Sequence, residues 1–230
     1  MSQSNLFVDL GNSAVKWRLH GSRVFTQGVD LFSSKLLPEA ESVWLSAVAH
    51  PNIVQAIMTQ FTNVKLVEPL KQYGRLTLCY DDPSKLGVDR FLAMLGALER
   101  FPDSPLLVID TGSAVTFDVI DIKGMHQGGL IMPGIKALRE SFIKFSTNDV
   151  SLKTVELKNS TQEAWKSGTH AMLVSAINSQ IRNFELKYPS GVVTICGGIA
   201  KEILKELPVS VKPFDNLVLD GLESYSQSMG

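Results

Sequence analysis

Short apolar blocks that predict strands recur along this chain, and one of them occurs twice. The run from Leu6 to Ser13 is an apolar strand that ends in an Asp-x-Gly-polar turn, and the run from Leu107 to Ser113 repeats this pattern. A second strand-like block follows each turn, at residues 15–19 and 115–120. This arrangement is typical of a hairpin. Two copies, each at the start of a half of about 100 residues, predict a duplicated domain.

The rest of the pattern is typical of an α/β protein with two similar halves. In the first half it predicts strands at Val43–Val48, Val64–Val67 and Leu76–Tyr80, and a helix from about Val88 to Arg100. In the second half it predicts a strand at Gly129–Met132, a helix after Pro133-Gly134, a helix from about Thr161 to Lys187, a strand at Val192–Cys196 and a short helix at Ile199–Glu206. The turn-rich residues 101–105 separate the halves, so we predict domains at 1–103 and 104–230.

Composition narrows the functional classes. The 230 residues carry a net charge of −1, which argues against a nucleic-acid partner, because phosphates are neutralised by an excess of Lys and Arg. The chain start lacks the features of a signal peptide, and no apolar run reaches about 18 residues. We therefore expect a soluble cytoplasmic protein without membrane contact. Its two cysteines, Cys79 and Cys196, are too few for a disulfide framework, and we expect both to be reduced and buried.

The first Asp-x-Gly turn has the chemistry of a phosphate site. Its glycine lets backbone N–H groups approach an anion, and Asn12 and Ser13 add donors. Asp9 at the strand end can reach a hydrated Mg²⁺, and Lys16 can add positive charge. The alternative is an ordinary hairpin turn, in which Asp, Gly and Asn are favoured residues.

The second turn, from Asp110 to Thr116, has a similar composition, and two such turns together predict a clamp for nucleotide phosphates. A strand that runs into Gly197-Gly198 and then a helix is compatible with a flat base lying against the backbone. The alternatives are a second plain hairpin and a plain strand-to-helix loop. No G-x-G-x-x-G follows a strand, so nothing supports a dinucleotide site.

A fourth segment, from Gly87 to Arg90, opens the helix predicted to end near Arg100. Asp89 could accept a proton from a substrate hydroxyl, and Arg90 could hold an anionic group with two hydrogen bonds. The alternative is a helix start capped by Asp89 beside a solvated Arg90.

These motifs occur in a fixed order along nearly the whole chain. The order is Asp9 to Ser13, Tyr80 with Leu86 to Arg90, Asp110 to Thr116, Gly128-Gly129 with Pro133-Gly134, Gly197-Gly198 and the closing residues 216–222. The set resembles the type III pantothenate kinase family. The resemblance implies an α/β fold of two duplicated ribonuclease-H-like domains, of the actin/hexokinase-type ATPase class, with a central nucleotide cleft.

The resemblance also implies an activity and a set of site residues. The activity is ATP-dependent phosphorylation of the primary hydroxyl of pantothenate, the first step towards coenzyme A. The general base matches Asp89, and the substrate contacts match Tyr80, Gly87, Val88, Asp89, Arg90 and Thr161. The ATP contacts match Asp9, Leu10, Gly11, Asn12, Ser13, Ala14, Val15, Lys16 and Ser113. Further implications are Mg²⁺ held through water near Asp9, a monovalent cation (K⁺ or NH₄⁺) on Asp110, and a homodimer that uses the long helix and the segment after Pro133.

Two other functions remain open from the sequence. The first is an enzyme with the same fold that acts on another substrate, such as a sugar kinase, an acetate kinase or a phosphatase. The segment from Gly87 to Arg90, which resembles the pantothenate site, argues against this function. The other is a binding or regulatory protein without catalysis. The presence of Asp9, Asp89 and Asp110 together argues against that reading.

Overall fold

Two compact units make up the fold. The computed structural model describes residues 4–153 and 155–229. One unit contains the chain up to Pro102 together with the segment from Asn216, and the other runs from Asp103 to Asp215. No helix in these described ranges has the length and the apolar character that crossing a membrane requires.

The first unit is built on a five-stranded sheet with the order β3-β2-β1-β4-β5. Its elements are β1 (Asn5–Leu10), β2 (Ala14–Leu19), β3 (Phe25–Gly28), β4 (Ser42–Ala47), α1 (Pro51–Gln60), β5 (Val64–Leu66), the ribbon of β6 (Gln72–Tyr73) and β7 (Leu76–Thr77), and α2 (Val88–Arg100). Strands β1 to β3 pair antiparallel, whereas β4 lies parallel to β1 and β5 parallel to β4. The apolar residues of β1 are buried on both faces, as expected for a central strand.

The second unit repeats this arrangement, with the order β10-β9-β8-β11-β12. Its elements are β8 (Leu106–Thr111), β9 (Ala114–Ile120), β10 (His126–Pro133), α3 (Ile135–Glu140), α4 (Thr161–Lys187), β11 (Val192–Cys196), α5 (Ala200–Ile203) and β12 (Lys212–Pro213). Strands β8 to β10 are antiparallel, and β11 and β12 continue the sheet in parallel. Ile177 and Ile181 of α4 pack in one core with Ile109 and Phe117. The matching strand orders confirm the predicted duplication.

The chain ends in α6 (Leu217–Met229), which packs against α2 within the first unit. Glycines allow this contact: a Cβ on Gly221 would lie 1.9 Å from the carbonyl oxygen of Leu92, and a Cβ on Gly96 would lie 2.4 Å from that of Leu217. Both distances are far shorter than any real Cβ contact, so the two helix backbones touch directly.

Ion pairs tie α6 to its own unit as well. Asp220 lies 2.9 Å from the Arg18 guanidinium of β2 and 2.7 Å from that of Arg100 at the end of α2. The second compact unit therefore ends at Asp215, whereas the sequence predicted a second domain that extends from 104 to 230. The first boundary lies at Pro102, one residue from the expected position.

The predicted strands and helices form, and the observed elements differ from the predicted ones at their ends. The long helix has the bounds predicted for it, and the Ser160 hydroxyl accepts the Glu163 N–H at its start. The strand predicted over Leu76–Tyr80 is wrong beyond Thr77, because β7 pairs only with the two residues of β6. The helix predicted over Ile199–Glu206 is α-helical only over Ala200–Ile203 and continues as a 3-10 turn.

The prediction for the cysteines is half correct. Cys196 is buried at the end of β11, whereas Cys79 is exposed, and neither forms a disulfide. Cys79 lies in an irregular segment beyond the end of β7.

Candidate active site

The first Asp-x-Gly turn joins β1 to β2 at the edge of the first sheet. The Gly11 N–H donates to the Ala14 carbonyl at 3.0 Å, and the Val29 N–H donates to the Ser13 carbonyl at 3.1 Å. Asn12 and Ser13 are exposed. The turn is thus an ordered loop that presents polar groups to the surroundings, as a phosphate site requires.

The residues on either side of this turn divide between the core and the surface. Leu10 and Val15, both predicted as ATP contacts, are fully buried. Asp9 and Lys16 are directly opposite in the β1–β2 ladder and are both partly exposed. Their side chains therefore leave the hairpin on the same face, the carboxylate suited to a metal ion and the ammonium group to phosphate oxygens.

Ser46 orients the carboxylate of Asp9. It lies opposite Asp9 in the parallel β1–β4 pair, and its Oγ donates to Asp9 Oδ1 at 3.1 Å. Ser46 is completely buried. One oxygen of Asp9 is therefore held from the core side, which fixes the direction of the carboxylate at the strand end.

The second turn, in the other unit, has the same hairpin form. The Gly112 N–H donates to the Ala114 carbonyl at 3.0 Å, and the Gly134 N–H donates to the Ser113 carbonyl at 3.1 Å. Ser113 is exposed at the tip. Gly134 has no room for a side chain, because a Cβ would lie 2.6 Å from the Ser113 carbonyl oxygen.

Asp110 lies against a glycine of the neighbouring strand end. Gly197 has a φ of +101°, and a Cβ there would lie 2.6 Å from Asp110 Oδ1. The Thr111 hydroxyl donates to the Cys196 carbonyl at 2.8 Å, which ties the ends of β8 and β11 together. Because Gly197 has no side chain, the carboxylate of Asp110 can lie close to the backbone there.

The segment from Gly87 to Arg90 forms the first turn of α2 and carries the most specific geometry. The Arg90 N–H donates to Asp89 Oδ1 at 2.8 Å. Gly87 leaves the space for that carboxylate, since a Cβ there would lie 2.5 Å from the same oxygen. Arg90 is buried, and its Nη1 donates to the Tyr80 hydroxyl at 3.2 Å. A solvated Arg90 is thus excluded, and Tyr80, Asp89 and Arg90 form one cluster.

Thr161 is placed differently from the other predicted substrate contacts. It is exposed at the first residue of α4, in the second unit, whereas Tyr80 and residues 87–90 belong to the first unit. Val88, also predicted as a contact, is buried.

The described residues contain no group of three or more His, Cys, Asp or Glu side chains that could hold a metal ion. A hydrated Mg²⁺ bound mainly by substrate phosphates does not need such a cage, because one or two carboxylates suffice. The partly exposed Asp9 carboxylate beside the phosphate turn fits that requirement.

Two residues of this site were missed from the sequence. They are Ser46, beside Asp9, and His50, whose Nε2 lies 2.9 Å from the Asn12 carbonyl oxygen. Each lies 37 or 38 residues from its partner. The signal that could have found them is the end of the predicted strand at Val43–Val48, because neighbouring parallel strands bring their carboxyl ends together.

The two sheets with matching strand order have the fold of the actin/hexokinase-like ATPases. MreB5 of Spiroplasma citri, solved with ADP bound, matches with a TM-score of 0.52 and 12% identity over 99% of this chain and 97% of its own. A Baf family protein from Campylobacter jejuni matches with a TM-score of 0.67 and 21% identity over 97% of this chain and 98% of its own.

Sequence comparison identifies the family within that class. The model for type III pantothenate kinase matches residues 5–183. The type III pantothenate kinase of Alcanivorax borkumensis is 31% identical over 95% of this chain and 96% of its own, and that of Dichelobacter nodosus is 34% identical over 78% and 80%. The chain therefore belongs to the type III pantothenate kinase family. It is an ATP-dependent kinase of coenzyme A biosynthesis.

Proposed function

We propose that this kinase transfers the γ-phosphoryl group of ATP to the primary hydroxyl of pantothenate in the cytoplasm, with Asp89 as the general base. The observation that carries the proposal is the cluster at the start of α2. Asp89 is oriented there by the Arg90 N–H, and the buried Arg90 bonds the Tyr80 hydroxyl. A carboxylate, a guanidinium and a phenol meet in one place, which suits a substrate with both a hydroxyl to deprotonate and an anionic end.

The nucleotide phosphates are assigned to the first glycine turn. Residues 9–16 contact the phosphates through the backbone and through Lys16. Asp9, oriented by Ser46, is the residue that would hold a hydrated Mg²⁺. When bound, Mg²⁺ neutralises charge on the phosphate oxygens.

The chemistry needs one proton transfer. Asp89 accepts the proton of the pantothenate hydroxyl as that oxygen forms a bond to the γ-phosphorus and the bond from phosphorus to the bridging oxygen of ADP breaks. Arg90 is the candidate partner for an anionic group of the substrate, because its planar guanidinium suits a carboxylate. Positioning and charge stabilisation account for most of the rate in such reactions.

Asp110 is proposed to bind the monovalent cation. The support is its carboxylate, which lies against Gly197 and the end of β8. Asp110→Asn should raise the KCl concentration needed for half-maximal activity, because the ligand loses its charge. Activity of this variant that responds to KCl like the wild type would contradict the assignment.

A homodimer is proposed through the second unit, with Thr161 as a pantothenate contact there. Apolar side chains are exposed near the surfaces expected for it: Ile131 on β10 is 66% exposed and Ile143 after α3 is 90% exposed. Single exposed apolar residues are normal on a surface, whereas a contiguous apolar patch favours an interface. Light scattering should give twice the 25.2 kDa chain mass, and a mass of one chain at micromolar concentration would contradict the dimer.

ADP release tests the function directly. Purified protein is incubated with ATP, Mg²⁺ and either KCl or NaCl, with and without pantothenate. We expect ADP release that depends on pantothenate and is higher with KCl. Release with another acceptor only would favour a kinase of different specificity, and ATP binding without turnover on any acceptor would favour a regulatory role.

A further inference from the structure

One backbone outlier lies beside the first Asp-x-Gly turn. His50 has φ 59° and ψ 61°, which is the left-handed region, and no other non-glycine residue among those described has a positive φ. This conformation is unfavourable for residues with a Cβ and persists only where the surroundings hold it. Such outliers cluster at functional sites, so the contacts of His50 are informative.

His50 links the start of α1 to the turn. Its carbonyl accepts the N–H groups of Ile53 at 2.9 Å and Val54 at 3.2 Å, which fixes its backbone as the N-cap of the helix. Its Nε2 lies 2.9 Å from the carbonyl oxygen of Asn12. A carbonyl oxygen can only accept, so Nε2 carries the hydrogen in this bond. The side chain is partly exposed, so the bond lies near the surface of the turn.

The first turn is longer than the second, so a hydrogen bond such as that of His50 has more backbone to fix in place. Residues 11–14 lie between the last paired residues of β1 and β2, whereas only 112–114 lie between those of β8 and β9. In both turns the glycine N–H closes on the alanine carbonyl. The first turn thus has one more peptide group to orient, and the residue added within it is Asn12 or Ser13. The carbonyl of Asn12 is the group that His50 holds.

We propose that His50 is a positioning residue for the phosphates of ATP. Its bond fixes the Asn12–Ser13 peptide plane, and in a trans peptide the C=O and the following N–H point in opposite directions. Holding the Asn12 carbonyl therefore also sets the direction of the Ser13 N–H. The left-handed backbone of His50 is what aims the imidazole at the turn. This inference rests on the proposed function, because it requires the first turn to bind the nucleotide.

Two variants separate the donor from the backbone conformation. His50→Gly tolerates the left-handed backbone and removes the donor, whereas His50→Gln keeps an N–H donor at a similar distance from Cα. For His50→Gly we expect the Kd for Mg-ADP and the KM for ATP to rise about tenfold, the effect of one hydrogen bond. The kcat at saturating ATP and the KM for pantothenate should change little. His50→Gln should recover most of the lost affinity.

The control is His20→Gln, at the other end of the same hairpin. His20 is exposed and its Nδ1 contacts Glu223, so this variant should bind Mg-ADP like the wild type. Wild-type affinity in His50→Gly would overturn the proposal, as would His50→Gln binding no better than His50→Gly. A purely structural role would lower the melting temperature of His50→Gly without a selective change in nucleotide affinity.

The two proposals fail in different ways. If the wild type binds Mg-ADP but does not phosphorylate pantothenate, the proposed function is wrong, and the binding data still decide the role of His50. If the wild type does not bind Mg-ADP at all, both proposals are overturned.

Discussion

Asp89→Asn is expected to lower kcat by about 10²–10⁴, the usual contribution of a general base. Asparagine has the same size, and its side-chain oxygen can still accept the Arg90 N–H that Asp89 accepts. The start of α2 should therefore keep its shape while the proton acceptor is lost. We expect Mg-ADP affinity and the melting temperature to stay close to those of the wild type, so that the loss is confined to the chemical step.

Asp82→Asn is a matched control for this change. Asp82 lies seven residues before Asp89, is exposed, and caps the 3-10 turn at Pro83–Lys85 through a bond from the Ser84 N–H at 3.0 Å. The Ser84 hydroxyl and amide lower the pKa of Asp82, which makes it a poorer base. Because Asn also caps well, this variant should keep wild-type kcat. An Asp89→Asn enzyme with full turnover would show that the base is another group.

Gly221→Ala is expected to give the largest loss of stability. The added Cβ would lie 1.9 Å from the Leu92 carbonyl oxygen and 3.0 Å from the Gly96 N. Both contacts are with backbone, so no side-chain rotation can relieve the overlap, and the two helices must separate. We expect the free energy of unfolding to fall by about 3 kcal/mol or more, at the upper end of overpacking effects. Denaturant unfolding followed by circular dichroism measures it.

Gly168→Ala makes the same substitution in a helix without the overlap. Gly168 is exposed within α4, and nothing lies within 4 Å of a Cβ built there. Alanine in a helix interior should stabilise by about 0.5–1 kcal/mol. If Gly221→Ala unfolds at the same denaturant concentration as Gly168→Ala, the close contact of α2 and α6 does not exist in solution.

The features that could be predicted from the sequence are the local ones. Each Asp-x-Gly hairpin is set by a few adjacent residues, and the helix from Thr161 begins with a capping box, so both are visible in the sequence. Helix α6 was not assigned, and its packing against α2 depends on the fit of Gly221 against Leu92, a contact between distant segments. The same holds for Ser46 and His50, whose partners are fixed only when β1 and β4 pair.

The candidate site also combines features that the sequence predicts with features that depend on distant contacts. The cluster of Asp89 and Arg90 lies in one helical turn, and its residue types alone suggested an acid-base and anion-binding role. The burial of Arg90 could not be predicted, because it depends on Tyr80 in a preceding irregular segment and on the packing of α2. Because Arg90 is buried, its guanidinium is oriented by the Tyr80 hydroxyl and not solvated.

The return of α6 to the first unit also constrains the order of events during synthesis. Domains generally fold as units while the chain emerges, the N-terminal one first. Here the second unit is one continuous segment, from Asp103 to Asp215, whereas the first unit lacks a helix until Leu217 and the residues after it have left the ribosome. The helix that carries Asp89 therefore gains this packing partner only after the whole second unit has been synthesised.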